Sequence, residues 1–517
     1  MKPGALLRAA LCLALGAIAP VAYGATSLSE ADCEGLGGLA WAPVGGSGVE
    51  IETAAAVSPD EEGLPDYCRV QATIAPSTGV EIRLPLSGWN RRLLFTGCGG
   101  LCGVIYSQHM PDAQARGYVV ATTDMGRQLV EGENPREWTQ DEQWRIDWQY
   151  RATHRATLLA KAVIAAAYGQ AQDYAYFRGC STGGRQGLTE ALMFPEDYDG
   201  VISGAPAMQM VTPHNVFSYA SSKRPDGTPV FSPDSLHLLA DAVLEACDED
   251  DGVRDGIVPH PPGCSFDPAS LQCADGQSGD CLTEQQVEAV RNIHAGARKA
   301  DGSRFYPMGY ARGSERDWIT NFLAVDGRPP RRAGSARFTL DQRIGPDATL
   351  ADFDYAQHGV QGSPVGGMLD LGADGRKLAA FTDRGGKILL YHGWSDTDAT
   401  PASSLFFHEA HVQAFGREET AGFLRLFMLP GMAHCSGGEG VHAADYLTLM
   451  EKWVEEGEAP ESLVAYRTRP PRSGQSYPRF PLPPADIVSG RRLYPYPAHS
   501  AYGGKGDVND PANWHKR

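Results

Sequence analysis

Short apolar runs that alternate with helix-like stretches constrain the fold of this chain more than any other feature. Each run ends in glycine or turn residues, as buried strands do. The runs lie at Arg92–Thr96, Tyr118–Thr123, Tyr174–Phe177 and Gly200–Ser203, and the clearest helix-like stretch is Tyr150–Tyr168. Strands that alternate with helices indicate βαβ units, so we predict an α/β protein with a mostly parallel sheet.

The alternation stops near Pro206. Residues 207–380 are rich in Gly, Pro and Asp, hold four cysteines and lack a sustained βαβ rhythm. Strand-like runs return at Lys387–Tyr391 and Leu424–Leu429, and a helix-like segment follows from about Val441 to Glu456. We therefore predict a sheet domain in two parts, residues 25–206 and 381–470. A second domain, residues 207–380, is inserted between these parts, and residues 471–517 form a tail.

The N-terminus is typical of an export signal. Lys2 and Arg8 precede a short apolar run at Leu11–Val21, and small residues follow before Ala25. The run is too short to span a membrane. We expect residues 1–24 to be a signal peptide and the mature chain to be periplasmic or secreted without a membrane anchor. The alternative is a retained anchor.

The charge balance excludes some partners. The 517 residues include 45 Lys and Arg against 63 Asp and Glu, which gives a formal net charge of −18. A nucleic-acid partner would need a basic footprint, and an anionic membrane surface would repel this chain. A small-molecule substrate fits this charge better.

The pentapeptide Gly179–Gly183 is the sharpest motif. It matches the Gly-x-Ser-x-Gly pattern, follows a strand-like run and opens a helix-like run from Gly184 to Phe194. That context is the one a nucleophile elbow requires, with the hydroxyl of Ser181 above the sheet and the amide of Thr182 facing a developing oxyanion. The alternative is a glycine-rich turn without catalytic function.

A nucleophilic serine needs a base and an acid that orients the base. Asp396 and His434 each follow one of the two strand-like runs beyond the insertion, where the carboxyl ends of strands form sites in open α/β sheets. We predict the triad Ser181, Asp396 and His434. Asp398 is the alternative acid, and we interpret His392 as a packed or rim histidine rather than the base.

The second oxyanion donor is expected in the glycine-rich loop after the strand-like run Arg92–Thr96. Either Gly99 or Gly100 fits this role. Cys98 and Cys102 lie four residues apart in the same loop, and a bond between them would stiffen it. Zinc binding is the alternative for this pair, although no second Cys/His pair has matching spacing.

Ten cysteines remain when Cys12 of the signal is set aside, and an even number in an exported chain indicates disulfides. Cys180 precedes Ser181 and Cys435 follows His434. A bond between these cysteines would hold nucleophile and base segments about 5–6 Å apart at Cα. Two free buried thiols are the alternative.

An acidic loop in the insertion predicts a structural calcium site. Asp248, Asp251 and Asp255 lie within eight residues and repel one another unless a hard cation balances them. Calcium takes oxygen ligands in flexible number, so the carbonyls of Val253 and Ile257 complete the candidate set. An acidic surface turn is the alternative.

Three segments resemble the tannase and feruloyl esterase family: Tyr150–Pro206, Gly385–Asp396 and Pro430–Cys435. The likeness covers most of residues 30–470. It implies an α/β-hydrolase fold with a large disulfide-rich lid between nucleophile and acid, the triad above, the Cys180–Cys435 bridge and calcium at the acidic loop. It also implies the pairs Cys247–Cys264, Cys273–Cys281 and Cys33–Cys68.

The resemblance implies a serine carboxylesterase that cleaves esters of hydroxycinnamic, gallic or related aromatic acids through an acyl-enzyme. An aryl-ester hydrolase for a different acid, such as a terephthalate half-ester, is the first alternative, and a non-catalytic binding module is the second. Aromatic side chains of the insertion are candidate substrate walls, namely Phe305, Tyr306, Tyr310, Trp318, Phe353 and Tyr355.

Overall fold

The computed structural model describes residues 26–61, 63–128, 141–208, 211–277, 279–299, 301–359, 375–469 and 477–517. The expected signal peptide at 1–24 lies outside these residues.

A mixed sheet forms the centre of the sheet domain. Within the described residues it has nine strands in the order β1-β2-β3-β5-β4-β6-β7-β8-β9. The strands are β1 (Val49–Val57), β2 (Tyr67–Ile74), β3 (Thr78–Pro85), β4 (Arg92–Thr96), β5 (Val119–Thr123), β6 (Tyr174–Cys180), β7 (Gly200–Gly204), β8 (Lys387–Gly393) and β9 (Leu424–Leu429). From β5 to β9 the neighbours are parallel, as the alternation of strands and helices predicts.

The first three strands extend this sheet in the antiparallel direction, and β3 pairs antiparallel with β5. Their place in the main sheet was not predicted. The bond between Cys33 and Cys68 ties helix α1 (Glu30–Gly35) to β2. The remaining helices of this first part are α2 (Pro111–Ala115), α3 (Glu142–Ile146), α4 (Ala152–Tyr168) and α5 (Thr182–Met193).

Side chains of the central strands alternate between two apolar clusters, one on each face of the sheet. Leu93, Phe95 and Phe177 belong to one cluster, while Leu94 and Tyr176 belong to the other. This alternation follows from the period of two along a strand. Because both faces are covered, the carboxyl ends of the parallel strands are left to form a site.

The insertion leaves the sheet at the carboxyl end of β7 and returns at β8, its neighbour in the sheet. Its described residues form helices and turns but no named strand, with α6 (Val211–Ser221), α7 (Pro233–Cys247), α8 (Glu284–Ala295), α9 (Trp318–Phe322), α10 (Arg331–Arg343) and α11 (Ala379–Asp383). Capping boxes at Ser232 and Thr283 start α7 and α8. A separate apolar cluster, which includes Leu239, Ile293 and Trp318, gives the insertion its own core.

The last part of the chain adds α12 (Ala402–Phe415), α13 (Arg417–Phe423) and α14 (Tyr446–Glu451). The helix-like segment from Val441 therefore begins later than predicted, because Ala443–Ala444 form strand β10. Strands β11 (Leu463–Thr468) and β12 (Ile487–Leu493) continue that second sheet, and β13 (Ser500–Tyr502) pairs with β14 (Trp514–Lys516). The tail thus pairs with the sheet domain and buries Trp514.

Five disulfides lie in the described residues: Cys33–Cys68, Cys98–Cys102, Cys180–Cys435, Cys247–Cys264 and Cys273–Cys281. The pairs are those that the sequence and the resemblance indicated. None of the described helices combines the length and the apolar character that crossing a membrane demands.

Candidate active site

Ser181 lies in the tight turn between β6 and α5. Its φ is 62°, in the left-handed region that side chains rarely adopt, so the backbone is strained where a nucleophile elbow would need it. The turn is too close for side chains at its glycines. A Cβ at Gly179 would lie 2.5 Å from the backbone of Gly183, and a Cβ at Gly183 would lie 2.9 Å from the carbonyl of Cys98.

The three predicted triad residues meet at the carboxyl edge of the sheet. His434 Nε2 lies 2.9 Å from Ser181 Oγ, and His434 Nδ1 lies 2.7 Å from Asp396 Oδ2. The other oxygen of Asp396 accepts hydrogen bonds from the amides of Asp398, at 2.8 Å, and Ala399, at 2.9 Å. This arrangement can take the proton of a serine hydroxyl and hold the resulting imidazolium.

The electrostatics suit those roles. Burial by itself raises the pKa of Asp396, but the facing charge of His434 and hydrogen bonds from His392 and His434 hold this pKa well below its ordinary value. Burial lowers the pKa of His434, and the charge and hydrogen bond of Asp396 more than offset that effect, so the pKa is raised. Asp396 is therefore ionised at neutral pH and stabilises a proton on His434.

Asp398, the alternative acid, has other partners. Its carboxylate pairs with Arg331 and Arg332 of α10 in the insertion. His392 is fully buried, as a packed histidine would be, but its Nε2 lies 3.3 Å from Asp396 Oδ2. This contact was not predicted, although the spacing of four residues between His392 and Asp396 is visible in the sequence.

A disulfide joins the segments that carry Ser181 and His434. Cys180 and Cys435 are bonded with their Cα atoms 5.9 Å apart, so they are not free thiols. Cys180 is the last residue of β6, and Cys435 follows the histidine directly. The covalent link spans 255 residues of sequence and fixes the distance across which the proton would move.

Backbone amides next to Ser181 fit an oxyanion site. In the described part of the chain, no acceptor takes the amides of Thr182, Gly99 or Gly100, whereas the amide of Cys98 donates to Gln186 Oε1 at 3.0 Å. The hydroxyl of Thr182 donates to the carbonyl of Gly100 at 2.7 Å and holds the two segments together. Both glycines remain candidates for the second donor.

The bond between Cys98 and Cys102 closes the glycine-rich loop. Both cysteines are buried, and neither offers a thiolate to a metal. The zinc interpretation of this pair is therefore wrong.

The acidic loop is partly neutralised from within the chain. Asp248 accepts hydrogen bonds from the amides of Asp255, at 3.1 Å, and Gly256, at 2.9 Å. Arg491 of the tail pairs with both Asp251 and Asp255. Burial raises the pKa of Asp251 to about 6 in spite of Arg491, since the neighbouring carboxylates add to the effect. One arginine against three carboxylates leaves an excess of negative charge.

The structure also brings together a group that the sequence analysis did not single out. One ligand atom each of His154, Glu190 and Asp197 lies within 4.8 Å of the others, a spacing that a metal ion accepts. The ammonium of Lys161 lies 3.8 Å from Asp197, and burial, together with the charge of Asp197, raises the pKa of Glu190 well above its ordinary value.

The candidate aromatic walls separate into two sets. Trp318 and Tyr310 are 0% and 1% exposed in the core of the insertion, so their assignment as substrate walls is wrong. Phe305 and Phe353 both lie against Tyr355, and Tyr306 lies against Phe406 of α12. The sequence shows which residues of the insertion are aromatic, but it does not show which of them pack in the core of the insertion.

Comparison with known proteins gives consistent findings. A sequence model of the family described as tannase and feruloyl esterase matches residues 64–516. The mono(2-hydroxyethyl) terephthalate hydrolase of Piscinibacter sakaiensis is 32% identical, with 94% of this chain and 91% of that protein covered. A probable feruloyl esterase B-2 of Aspergillus flavus is 30% identical, with 80% and 82% covered.

Solved structures share the fold. A crystal structure of an esterase from Aspergillus oryzae superposes with a TM-score of 0.78 at 25% identity, covering 94% of this chain and all of that one. The tannin acyl hydrolase of Aspergillus niger superposes with a TM-score of 0.72 at 21% identity, covering 95% of each chain. The sheet, the insertion and the tail are thus covered in both likenesses.

Proposed function

The chain belongs to the tannase and feruloyl esterase family and is an ester hydrolase of that type, and from this premise we propose that it is a serine carboxylesterase for esters of aromatic acids. The observation that carries the proposal is the continuous hydrogen-bond chain from Ser181 through His434 to Asp396. Hydroxycinnamic or gallic acids are the proposed acyl groups, since relatives with this breadth of coverage carry feruloyl esterase names.

The proposed reaction proceeds in two halves. Ser181 Oγ attacks the ester carbonyl while His434 Nε2 takes its proton, and the amide of Thr182 with that of Gly99 or Gly100 binds the oxyanion. His434 then gives the proton to the leaving alcohol, which breaks the ester bond and leaves an acyl-enzyme. Water attacks this intermediate with His434 again as base, and the acid and free serine are released.

A terephthalate half-ester is the second candidate substrate. The relative at 32% identity, with 91% of its length covered, is named for hydrolysis of such an ester. Both candidates place an aromatic acyl group on Ser181, so they differ in the pocket rather than in the chemistry.

We assign calcium to the acidic loop as part of the proposal. The carboxylates of Asp248, Asp251 and Asp255 would hold it together with the carbonyls of Val253 and Ile257. The excess negative charge of these carboxylates over Arg491, with Asp248 and Asp251 buried, supports a divalent cation, and oxygen donors are those that calcium prefers. When bound, calcium would neutralise the loop, and it takes no part in the ester chemistry.

The insertion is proposed to be a lid, and the chain is proposed to be exported after removal of residues 1–24. The lid assignment rests on the start of the insertion at the carboxyl end of β7, beside Cys180 and Ser181. Export is supported by the disulfides, which form and persist in oxidising compartments.

The direct test is a Ser181→Ala variant assayed on methyl ferulate, methyl gallate and a terephthalate half-ester. We expect kcat to fall by about three orders of magnitude or more on whichever ester the parent enzyme cleaves. Ser436→Ala, an exposed serine beside the Cys180–Cys435 bridge, is the matched control and should retain the parent rate. A Ser181→Ala enzyme with a tenth of the parent activity would overturn the proposed mechanism, and the relative kcat/KM values of the parent enzyme decide between the acyl groups.

A further inference from the structure

His392 is a buried histidine that has no role in the reaction proposed above. It lies on β8 with no exposed surface, four residues before Asp396. Its Nε2 lies 2.6 Å from the carbonyl oxygen of Ala399 and 3.3 Å from Asp396 Oδ2. Its Nδ1 lies 2.7 Å from the hydroxyl of Ser404, which is equally buried on α12.

These partners determine where the proton sits on the ring. A carbonyl and an ionised carboxylate only accept hydrogen bonds, so Nε2 must carry a hydrogen to face both of them. With that hydrogen on Nε2, Nδ1 can accept a hydrogen bond from the hydroxyl of Ser404. Hydrogen bonds therefore join Ser404 to His392, and Asp396 through His434 to Ser181. The 3.3 Å contact between His392 Nε2 and Asp396 Oδ2 connects the two sets.

We propose that His392 is a positioning residue for ester hydrolysis, whose Nε2–H holds the Asp396 carboxylate ionised and directed at His434 while Ser404 fixes the tautomer. The inference rests on the triad proposed above. It assigns His392 no contact with substrate, since the ring has no exposed surface in the described structure.

The geometry around Asp396 shows why a fourth donor matters. Its Oδ1 is held by two backbone amides, but Oδ2 is approached by His434 and by His392 alone among the described side chains. During acyl transfer His434 becomes an imidazolium, and Asp396 must accept its hydrogen bond without taking the proton. A second donor on the same oxygen favours the ionised carboxylate and limits its rotation.

Removal of that donor should change the titration of the base as well as the rate. Without the Nε2–H of His392, the negative charge on Asp396 is less balanced and attracts the proton on His434 more strongly. The pKa of His434 should therefore rise, and activity should be lost at a higher pH on the acid side. The other titratable and charged groups near Asp396 and His434 are Asp398, Arg331, Arg332, Asp317 and Tyr310, and all are unchanged in the variants below.

The test compares three substitutions at His392 in the full chain. His392→Phe keeps the ring and removes both nitrogens. The amide nitrogen of glutamine occupies roughly the place of Nε2, whereas that of asparagine occupies the place of Nδ1. His392→Gln can therefore still donate towards Asp396, and His392→Asn cannot.

We expect kcat to fall about tenfold to a hundredfold for His392→Phe and His392→Asn, with KM changed by less than about threefold. His392→Gln should recover most of that loss. The acid limb of the kcat/KM profile should move to higher pH for Phe and Asn but remain near the parent value for Gln. Ser404→Ala, which removes little volume, should produce a smaller effect in the same direction.

His411→Phe is the matched control for replacing a buried histidine. His411 lies on α12 and hydrogen-bonds to the carbonyl of Phe407 at 2.7 Å. Melting curves for all variants separate loss of folding from loss of rate. If His411→Phe lowers kcat as much as His392→Phe, or if Gln and Asn are equally impaired with an unmoved acid limb, His392 has only a packing role and the inference is overturned.

The outcome for His392 is distinguishable from the outcome for the triad. If Ser181→Ala retains activity, the proposed mechanism itself fails. If Ser181→Ala is inactive and folded His392→Phe has parent kcat and pH profile, only the role of His392 fails.

Discussion

The sheet domain and the insertion contribute to the site in different ways. The sheet domain supplies all three residues of the proposed triad, with Ser181 after β6, Asp396 after β8 and His434 after β9. The Cys180–Cys435 bridge covalently joins the neighbours of Ser181 and His434. The insertion supplies none of these groups but contacts the loop that carries the acid.

Those contacts are polar and non-covalent. Asn215 Nδ2 donates to the carbonyl of Asp398 at 3.0 Å, and Thr400 Oγ1 donates to the carbonyl of Gly309 at 3.2 Å. Arg332 adds an ion pair with the side chain of Asp398. Changes in the sheet domain should therefore act on kcat, while changes in the insertion should act first on stability and on substrate binding.

Among changes that leave Ser181, Asp396 and His434 in place, loss of the covalent link is expected to have the largest effect. The double variant Cys180→Ser, Cys435→Ser should lower kcat about a hundredfold, because a shift of about 1 Å between nucleophile and base costs that much. The measurement is kcat at a temperature where circular dichroism shows the variant folded. The double variant Cys273→Ser, Cys281→Ser removes a short bridge of the insertion and should leave kcat near the parent value. Equal losses in the two would end the distinction between the regions.

Calcium removal tests the insertion. Chelation should lower the melting temperature by about 5 °C or more and raise KM for a bulky aromatic ester, while hydrolysis of a small activated acetate ester persists. Both effects should reverse when calcium is restored. Asp251→Ala should abolish the response to chelator, whereas Asp226→Ala, in an exposed turn, should keep it. Equal loss on both esters would mean that insertion and sheet domain form one cooperative unit, and a melting temperature of Asp251→Ala equal to that of the parent protein at every calcium level would identify an acidic turn.

Two neighbouring arginines of the insertion, Arg331 and Arg332, test how the insertion is held to the sheet domain. Both pair with Asp398, but the side chain of Arg332 is 5% exposed and that of Arg331 is 50% exposed. Arg332→Gln should lower the free energy of unfolding by about 2 kcal/mol, since it leaves Asp398 without its buried partner. Arg331→Gln should cost less than about 1 kcal/mol. Denaturant titrations of both variants measure these losses. Equal losses in free energy of unfolding would contradict a larger contribution from the buried Arg332–Asp398 pair.

The smallest effect concerns the pH dependence of the sheet domain. Burial and the charge of Asp197 raise the pKa of Glu190 above 4.5, so the folded state binds a proton that the unfolded state releases. The free energy of unfolding should therefore fall as pH rises above about 4.5, by up to about 1.4 kcal/mol per pH unit. Glu190→Gln should flatten this slope and Glu196→Gln, which is exposed, should not. Equal slopes in parent and Glu190→Gln would show that Glu190 is ionised in the folded protein.

Much of the sheet domain was predictable because its signals are local. Strands β4 and β9 have the predicted bounds, and α5 begins two residues before the predicted start. Buried parallel strands appear in the sequence as continuous apolar runs, and the turn residues that end each strand follow it directly. The N-terminal strands were harder, since their antiparallel pairing with β5 depends on partners far along the chain.

The position of the insertion in the chain was predictable, but the packing and pairing of its side chains were not. Its aromatic residues were visible, yet Trp318 and Tyr310 are committed to its own core. The acidic loop was visible too, but its pairing with Arg491 joins residues more than 230 positions apart. Such pairings leave no local pattern.

The sequence by itself determined the order of the proposed catalytic groups, the strand-turn-helix setting of Ser181 and the interruption between β7 and β8. These follow from side-chain periodicity and from glycines that permit a turn, and both act over a few residues. Only the tertiary structure decided that His392 faces Asp396, that Asp398 faces Arg332 and that Glu190 is held beside Asp197. Burial and the proximity of charges set those relations, and both arise only when distant segments share one core.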